Sequence, residues 1–380
     1  MKKQLLTIAA GSLFAASALQ AANYAYPQLY KDPRIMGMGG ANVAVGGLGS
    51  SVFHNPAGLS RIPQAYGWEV DILNMTASIN QDILDFADDL SDADGSEETS
   101  DVLDKYTGKN NHISYNNYSS VSRKFDKIAF SVGALASLDL DMRPHQGFGP
   151  EGILEVNGLA LAGGIFGLSY DLGGVDVGNY TMNDLSVGGA VKVIRYGAMD
   201  MGLSASEIDE LSNADDVYDY MDDRGYINEG TDTVVDLGAI YNVTPEMSAG
   251  VSVLNIGGIS EGVREIPMTV NVGGAYTLSY PDRAFFSRVR FAADYVDLTG
   301  GYEDSSYLKR TRMGADLQVL DNWLSTLNLQ AGLYQGHMSA GFDVRLSVVR
   351  LAYTTYAEEL GAYSGQDADR RHMVSFAIGW

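Results

Sequence analysis

The sequence predicts an all-β protein, a transmembrane antiparallel β-barrel of about 14 strands carrying acidic, partly helical outer loops. Three observations predict it: an export-type N-terminus, a long series of alternating strand-like runs, and connections that alternate between short and long.

At the N-terminus, Met1-Lys2-Lys3 puts positive charge ahead of an apolar run over 5–19, which ends in Ala18-Leu19-Gln20-Ala21-Ala22. A basic start, a short apolar stretch and small residues at its end make a secretory signal peptide, assigned to residues 1–22 and expected to be cleaved after Ala21 or Ala22. A retained anchor helix needs about 20 apolar residues, more than this run supplies. With no cysteine in the chain, a lipid-anchor cysteine, a disulfide framework and a thiolate metal site are all excluded. Stability then rests on hydrogen bonding and burial.

No Pro-rich or Ser-rich linker divides the remainder, which favours one large closed sheet over several soluble domains. A further apolar segment long enough for a membrane helix is missing, whereas 44 Gly and 23 Tyr suit alternating barrel strands. The net charge of −23 argues against a nucleic-acid partner, because phosphate binding requires clustered Lys and Arg.

Strand-like runs lie near 66–80, 112–122, 128–141, 155–170, 181–198, 230–242, 247–256, 266–280, 286–299, 307–319, 324–334, 339–345, 348–357 and 370–380. Most reach about ten residues, enough to cross a bilayer when tilted. The tight connections 123–127, 243–246, 281–285 and 320–323 contrast with the long ones 81–111, 142–154, 199–229, 257–265 and 359–369, the outer-membrane pattern. The final run shows the alternation well, with Val374, Phe376, Ile378 and Trp380 on one face and Ser375, Ala377 and Gly379 on the other. The terminal Trp380 resembles the C-terminal aromatic that barrel-assembly machinery recognises.

Two long loops are acidic. Asp82, Asp85, Asp88, Asp89, Asp92 and Asp94 lead the first, and Glu207, Asp209, Glu210, Asp215, Asp216 and Asp219 the second, where Ile208, Leu211, Val217 and Met221 form one side of short helices. Such charge runs usually face water. An EF-hand register set by Gly95 would put Leu90 at the first ligand position, so that motif fails.

Read with period two, the late strands place Arg288 with Arg290, Arg310 and Arg312 with Asp316, and Asp343 with Arg345, followed by Arg350. Arg or Lys facing lipid at mid-depth costs about 2–4 kcal/mol, so these residues are expected to form a basic wall of the lumen, partly paired with Asp294, Asp316 and Asp343. Such a wall either fills the barrel as an ion-pair ladder or holds an anionic head group.

Enzyme motifs lack their context. Gly258-Ile259-Ser260-Glu261-Gly262 fits G-x-S-x-G, but Pro267 and another strand follow it where a nucleophile elbow requires a helix. Gly37-Met38-Gly39 would need glycine at 42, which is Asn42, to make a dinucleotide fingerprint. His54, His112, His145, His337 and His372 show no metal-ligand spacing. No catalytic residue, cofactor or metal ion is therefore assigned.

The segment Pro33-Arg34-Ile35-Met36-Gly37-Met38-Gly39-Gly40-Ala41-Asn42, followed by Ser50-Ser51-Val52-Phe53-His54-Asn55-Pro56-Ala57-Gly58-Leu59, resembles the N-terminal segment of the FadL-like superfamily of outer-membrane proteins. Near the other end, Tyr356-Ala357-Glu358-Glu359-Leu360-Gly361 with Asp369-Arg370-Arg371 is similar to the conjugal-transfer TraF-type subgroup. The resemblance implies fourteen strands and a lumen plugged by an N-terminal hatch, here residues 23–61, with the barrel over 62–380. It also implies passage of hydrophobic molecules that exit sideways into the membrane. Gly37, Gly39, Gly40, Phe53, His54, Asn55 and Pro56 become the plug and gate residues. The implied partners are outer-membrane lipid and lipopolysaccharide and a hydrophobic ligand. The alternative is a non-transporting barrel that supports conjugation or protein secretion by binding other proteins.

Overall fold

The computed structural model describes residues 25–379 apart from 64–67, 147–152, 178–179, 213–216, 261–262, 281–285 and 303–305. The segment expected to be a signal peptide, and Trp380, lie outside the described residues.

Fourteen antiparallel strands close into one barrel in which each pairs with its chain neighbours and β1 pairs with β14. They are β1 (Glu69–Asn80), β2 (Asn111–Phe125), β3 (Ile128–His145), β4 (Ile153–Val177), β5 (Tyr180–Ser204), β6 (Ile227–Asn242) and β7 (Met247–Ile256). The second half comprises β8 (Thr269–Ser279), β9 (Arg288–Tyr295), β10 (Thr311–Asp321), β11 (Ser325–Tyr334), β12 (His337–Leu346), β13 (Val349–Glu359) and β14 (Ala368–Gly379). Each expected run coincides with one strand. Several boundaries differ by a few residues, two of them for evident local reasons. β4 continues past 170 because Asp171-Leu172-Gly173, a turn signal in sequence, is accommodated as an irregularity in the β4–β5 pairing, with Gly173 at φ +66°. β10 starts at 311 because Leu308–Arg310 form a 3-10 turn.

Every strand turns at least one large apolar side chain outward, among them Ile72, Phe166, Val191, Leu237, Phe291 and Val374. A closed sheet with an apolar belt on all sides is built to sit in lipid. None of the described helices is long and apolar enough to cross a membrane. One rim carries short turns, including 126–127, 243–246 and 347–348; the other carries the long connections, with 335–336 its one short member. Gln335 at φ +53° and Gly336 at φ +87° give that turn the two left-handed residues that match the twist of a hairpin.

Helices α2 (Ile83–Asp92) and α3 (Gly95–Lys105), and α4 (Ala205–Ser212) and α5 (Val217–Asp223), occupy the two acidic loops. They close over a second apolar core in which Phe86 and Leu103 meet Leu154, Val156 and Met201 from the extended ends of β4 and β5. Ile208, Leu211 and Met221 pack against this core as expected, while the side chain of Val217 lies outside the described residues.

The interior differs from a uniformly polar lumen. Inward faces of β2 to β6 supply Tyr118, Leu135, Leu161, Ile165, Ile194 and Val234 to an apolar core, which Leu29, Val52, Phe53 and Leu59 complete from the N-terminal segment. Buried polar residues are most numerous on β9 to β14 and on the adjoining β1 and β2, with Asp141, Lys192 and Asp236 among the apolar strands. Inside and outside therefore cannot be told apart by polarity on half of the wall.

Candidate functional site

The N-terminal segment builds the site. Asp32 caps helix α1 (Pro33–Gly37) by accepting from the Arg34 amide, and Pro33 opens the helix with the fixed φ that suits its first turn. Asn55 likewise caps the 3-10 turn Pro56–Arg61. Between these turns the segment runs backbone to backbone against the wall. The Asn42 and Val43 amides donate to Asp294 at 2.6 and 2.8 Å, Ser339 donates to the Gly37 carbonyl at 3.1 Å, and Thr354 to that of Pro33 at 2.7 Å. On another part of the wall Ser252 donates to the His54 carbonyl at 2.7 Å. These partners come from β7, β9, β12 and β13, so the closed sheet surrounds the segment.

Close approach requires glycine on both sides. A Cβ on Gly39, whose φ is +67°, would lie 2.3 Å from the Met313 carbonyl oxygen, and one on Gly314 of β10 would lie 2.2 Å from that of Met38. On the opposite wall Gly238 accommodates Asn55, and Gly188 accommodates Pro56 and Ala57. Asn55 directs its amide at three carbonyls, Val43 at 2.8 Å, Ala239 at 3.1 Å and Val251 at 3.2 Å. It thus ties the Asn-Pro-Ala turn to both the segment and the wall. The expected gate residues divide: Gly40, Phe53 and His54 line one cavity, Gly37 and Gly39 pack on β10 and β11, and Asn55 and Pro56 pack on β5 and β6, with Asn55 anchored from several directions.

Two cavities lie on either side of residues 35–45. The first, about 110 Å³, opens towards the long-loop rim and is lined by Tyr26, Tyr30, Phe53, Leu254, Tyr302 and Tyr334 among others; Gly40, His54, Lys192 and Arg312 also reach it. Its aromatic residues pack on one another: Phe53 meets Tyr30 at 5.2 Å, and Tyr26 stacks on Tyr302 at 4.4 Å. Lys192, paired with Asp236 at 2.5 Å, stands 5.2 Å from the Phe53 ring centroid. The second, about 140 Å³, lies towards the short-turn rim, where Arg34, Arg61, Arg288, Arg290, Asp316 and Asp343 line it.

Several residues of the expected polar wall therefore meet, but with different partners. Arg288 pairs with Asp316 at 3.1 Å. Asp294 receives the segment's amides instead of an arginine, and Asp343 receives the Asn328 and Gln330 amides at 2.9 and 2.8 Å. Arg312, buried, donates to the Lys309 carbonyl and lies over the Tyr334 ring at 4.1 Å. Arg350 pairs with Asp71 at 2.7 Å. Arg310 sits in the 3-10 turn ahead of β10, 3.9 Å from Asp297, because the strand begins one residue later. Arg345 reaches past the end of its strand to the Ser347 and Asn322 carbonyls at the exposed rim.

Sequence reasoning passed over the charges that bind the segment itself. Lys31 pairs with Glu358 at 2.6 Å, and Arg34 with Asp32 at 2.7 Å and Asp71 at 3.6 Å. The Asp-Pro-Arg run, a helix-start signature, could have found the second group. It also passed over a buried network in which Arg371 joins Asp141 and Asp369 at 2.9 and 2.7 Å, beside His112 and Arg264. His112, Asp139 and Asp141 lie close enough to hold a metal ion. Arg371 and Arg264 already supply positive charge to those carboxylates.

Burial works against ionisation of Asp32, yet Arg34 and Ser50 outweigh it and hold the carboxyl at about 2. Burial pushes the His54 imidazole down to about 4, with Asp32 opposing and Lys192 adding to the shift. In the unfolded chain this imidazole takes up a proton near pH 6.5, whereas in the folded one it waits until about pH 4. The stability that it contributes is present in full above pH 6.5 and lost as pH falls towards 4, by at most about 3 kcal/mol. The hydrogen-exchange protection factors of amides 50–58, referred to the intrinsic rate at each pH, should fall across that window in the wild type and much less in His54→Gln. Equal pH dependence in both would show that His54 is not the group responsible.

No protein-family model and no curated protein sequence matches the chain. Solved structures do match its fold. The toluene transporter TbuX of Ralstonia pickettii superposes with a TM-score of 0.53 at 12% identity, covering 93% of this chain and 99% of that one. The toluene transporter TodX of Pseudomonas putida gives 0.51 at 12% identity with the same coverage. A FadL homologue of Pseudomonas aeruginosa gives 0.50 at 10% identity, covering 94% and 99%. The chain thus has the closed-barrel fold of FadL-like outer-membrane proteins over nearly its whole length.

Proposed function

We propose that the protein is an outer-membrane channel for small hydrophobic molecules, with residues 23–61 as its plug and the aromatic cavity as the place where a solute is held. The observation that carries this reading is the pair of cavities separated only by residues 35–45. A solute entering from the long-loop rim meets Tyr, Phe and Leu surfaces that reward loss of water, then a wall of backbone. An apolar cavity of roughly 150 Å³ accommodates benzene, so about 110 Å³ suits a single aromatic ring after a small adjustment of its lining. Two of the matched structures are toluene transporters, which agrees in size and chemistry. Onward passage requires residues 35–45 to shift, and the many bonds that hold them make such shifts infrequent.

Leu254→Trp tests the reading, because Leu254 lies on β7 at the edge of the aromatic cavity and an indole there fills it. Toluene uptake into proteoliposomes should exceed that of protein-free vesicles for the wild type and fall by about tenfold or more for Leu254→Trp, since overpacking by several atoms costs about 1–3 kcal/mol. Wild-type uptake no faster than the protein-free control would sink the channel and favour a non-transporting barrel that binds protein partners.

A further inference from the structure

The cavity at the short-turn rim contains more cationic groups than its carboxylates satisfy. Four arginines line it. Arg34 is committed to Asp32 and Asp71, and Arg288 to Asp316. Asp343 has its oxygens on the amides of Asn328 and Gln330. Arg61 and Arg290 are left without a carboxylate within 4 Å among the described residues. Arg290 has one polar contact, from Nε to the Thr277 hydroxyl at 3.4 Å, so both of its terminal nitrogens are open to the cavity. Arg61 donates only to neutral oxygens, the Ala44 carbonyl at 2.7 Å, the Val45 carbonyl and Ser248 at 3.2 Å, and Asn242. Burial pushes its guanidinium down to about 10, opposed only in part by the charge of Asp171 beyond 4 Å. The Nε of Arg288 is buried with no partner at all.

The register explains why these groups meet. β9 pairs Arg290 with Asp316 and Arg288 with Gln318 on β10, and Asp316 and Gln318 pair in turn with Gln330 and Asn328 on β11. Two rungs of inward polar residues therefore cross the wall beneath Gly37, and Arg61, at the end of its 3-10 turn, closes the space from the segment's side. An enclosed guanidinium gains most from a planar or tetrahedral oxyanion, which accepts two parallel N–H bonds and restores the missing charge.

We propose that this cavity is an oxyanion site in which Arg290 and Arg61 bind a phosphate- or carboxylate-type group, either as a free ion or as the head of an amphipathic molecule. The proposal does not depend on the aromatic cavity being a transport site. Asp316 limits it by occupying Arg288.

Calorimetric titration of the full-length protein in nanodiscs tests it with three probes: inorganic phosphate, hexyl phosphate and hexanol. Both phosphates binding more tightly than hexanol would identify a site for free oxyanions, and hexyl phosphate alone would identify a site for headgroups. In either case Arg290→Gln should weaken binding about tenfold, the effect of losing charged hydrogen bonds, and Asp316→Asn should strengthen it by releasing Arg288. The opposite signs separate loss of the site from loss of the fold. If neither phosphate binds, if hexyl phosphate binds no better than hexanol, or if Arg290→Gln binds as the wild type does, the proposal is overturned. Toluene uptake is measured alongside, and its failure with phosphate binding intact would sink the channel reading alone.

Discussion

Arg371→Leu is expected to lower the stability of the barrel by about 3–5 kcal/mol, the usual effect of removing one member of a buried ion pair. Arg371 is fully buried and connects Asp141 on β3 to Asp369 on its own strand, while His112 adds a contact to Asp141 at 2.9 Å. Without the guanidinium, Asp141 keeps only His112, Asn110 and the more distant Arg264 at 3.6 Å, and an under-compensated carboxylate is left inside. Asp369 is less affected because Asn80 and Asn110 still donate to it. Urea unfolding in micelles measures the loss. Arg371→Leu combined with Asp141→Leu should recover a large share, since an apolar pair of similar volume needs no compensation. A single variant as stable as the wild type would mean that the network does not support the barrel.

The second large effect is expected at Gly250 on β7. A Cβ there would sit 2.3 Å from the Val43 carbonyl oxygen and 3.0 Å from the Cα of Ala44, so backbone stands where a side chain would go. Gly250→Val should displace the segment at 43–44 and destabilise it by about 1–3 kcal/mol. Single-channel conductance in planar bilayers should rise, because the displaced segment no longer fills the lumen. Gly197→Val is the matched control, as nothing lies within 4 Å of a Cβ at that position on β5. If both variants conduct like the wild type, residues 35–45 are not what closes the barrel.

The fourteen strands were legible because period-two alternation and loop length are local properties, visible in a run such as Val374 to Gly379. The inward direction of Arg288, Arg290, Arg312 and Asp316 was legible for the same reason, since charge cannot face lipid. Their partners were not. Pairing across a barrel depends on register and on what fills the lumen, so nothing near Asp294 reveals that two amides 251 and 252 residues earlier will satisfy it. Glycine was read only as suited to alternating strands; Gly238, Gly250, Gly273 and Gly314 clear a track for the segment, which only the assembled molecule reveals. Lys192 gave a signal that went unused: a lone cation between Val191 and Val193 has to face inward and must find an acid, here Asp236.

β1 departs from regular pairing between Asp71 and Met75, against β2 on one side and, from Ile72, against β14 on the other. Leu73 takes φ +52° there, and Asn74 turns inward to donate to the Tyr30 hydroxyl at 3.0 Å while accepting from Ser375 at 3.2 Å. The irregularity thus lies in the seam where first and last strands join, and it ties that seam to the N-terminal segment. The segment's backbone also bonds to side chains of β7, β9, β12 and β13. Pairing of β1 with β14 and seating of Tyr30 thus share one side chain, Asn74, so loosening either the seam or the segment is expected to loosen the other.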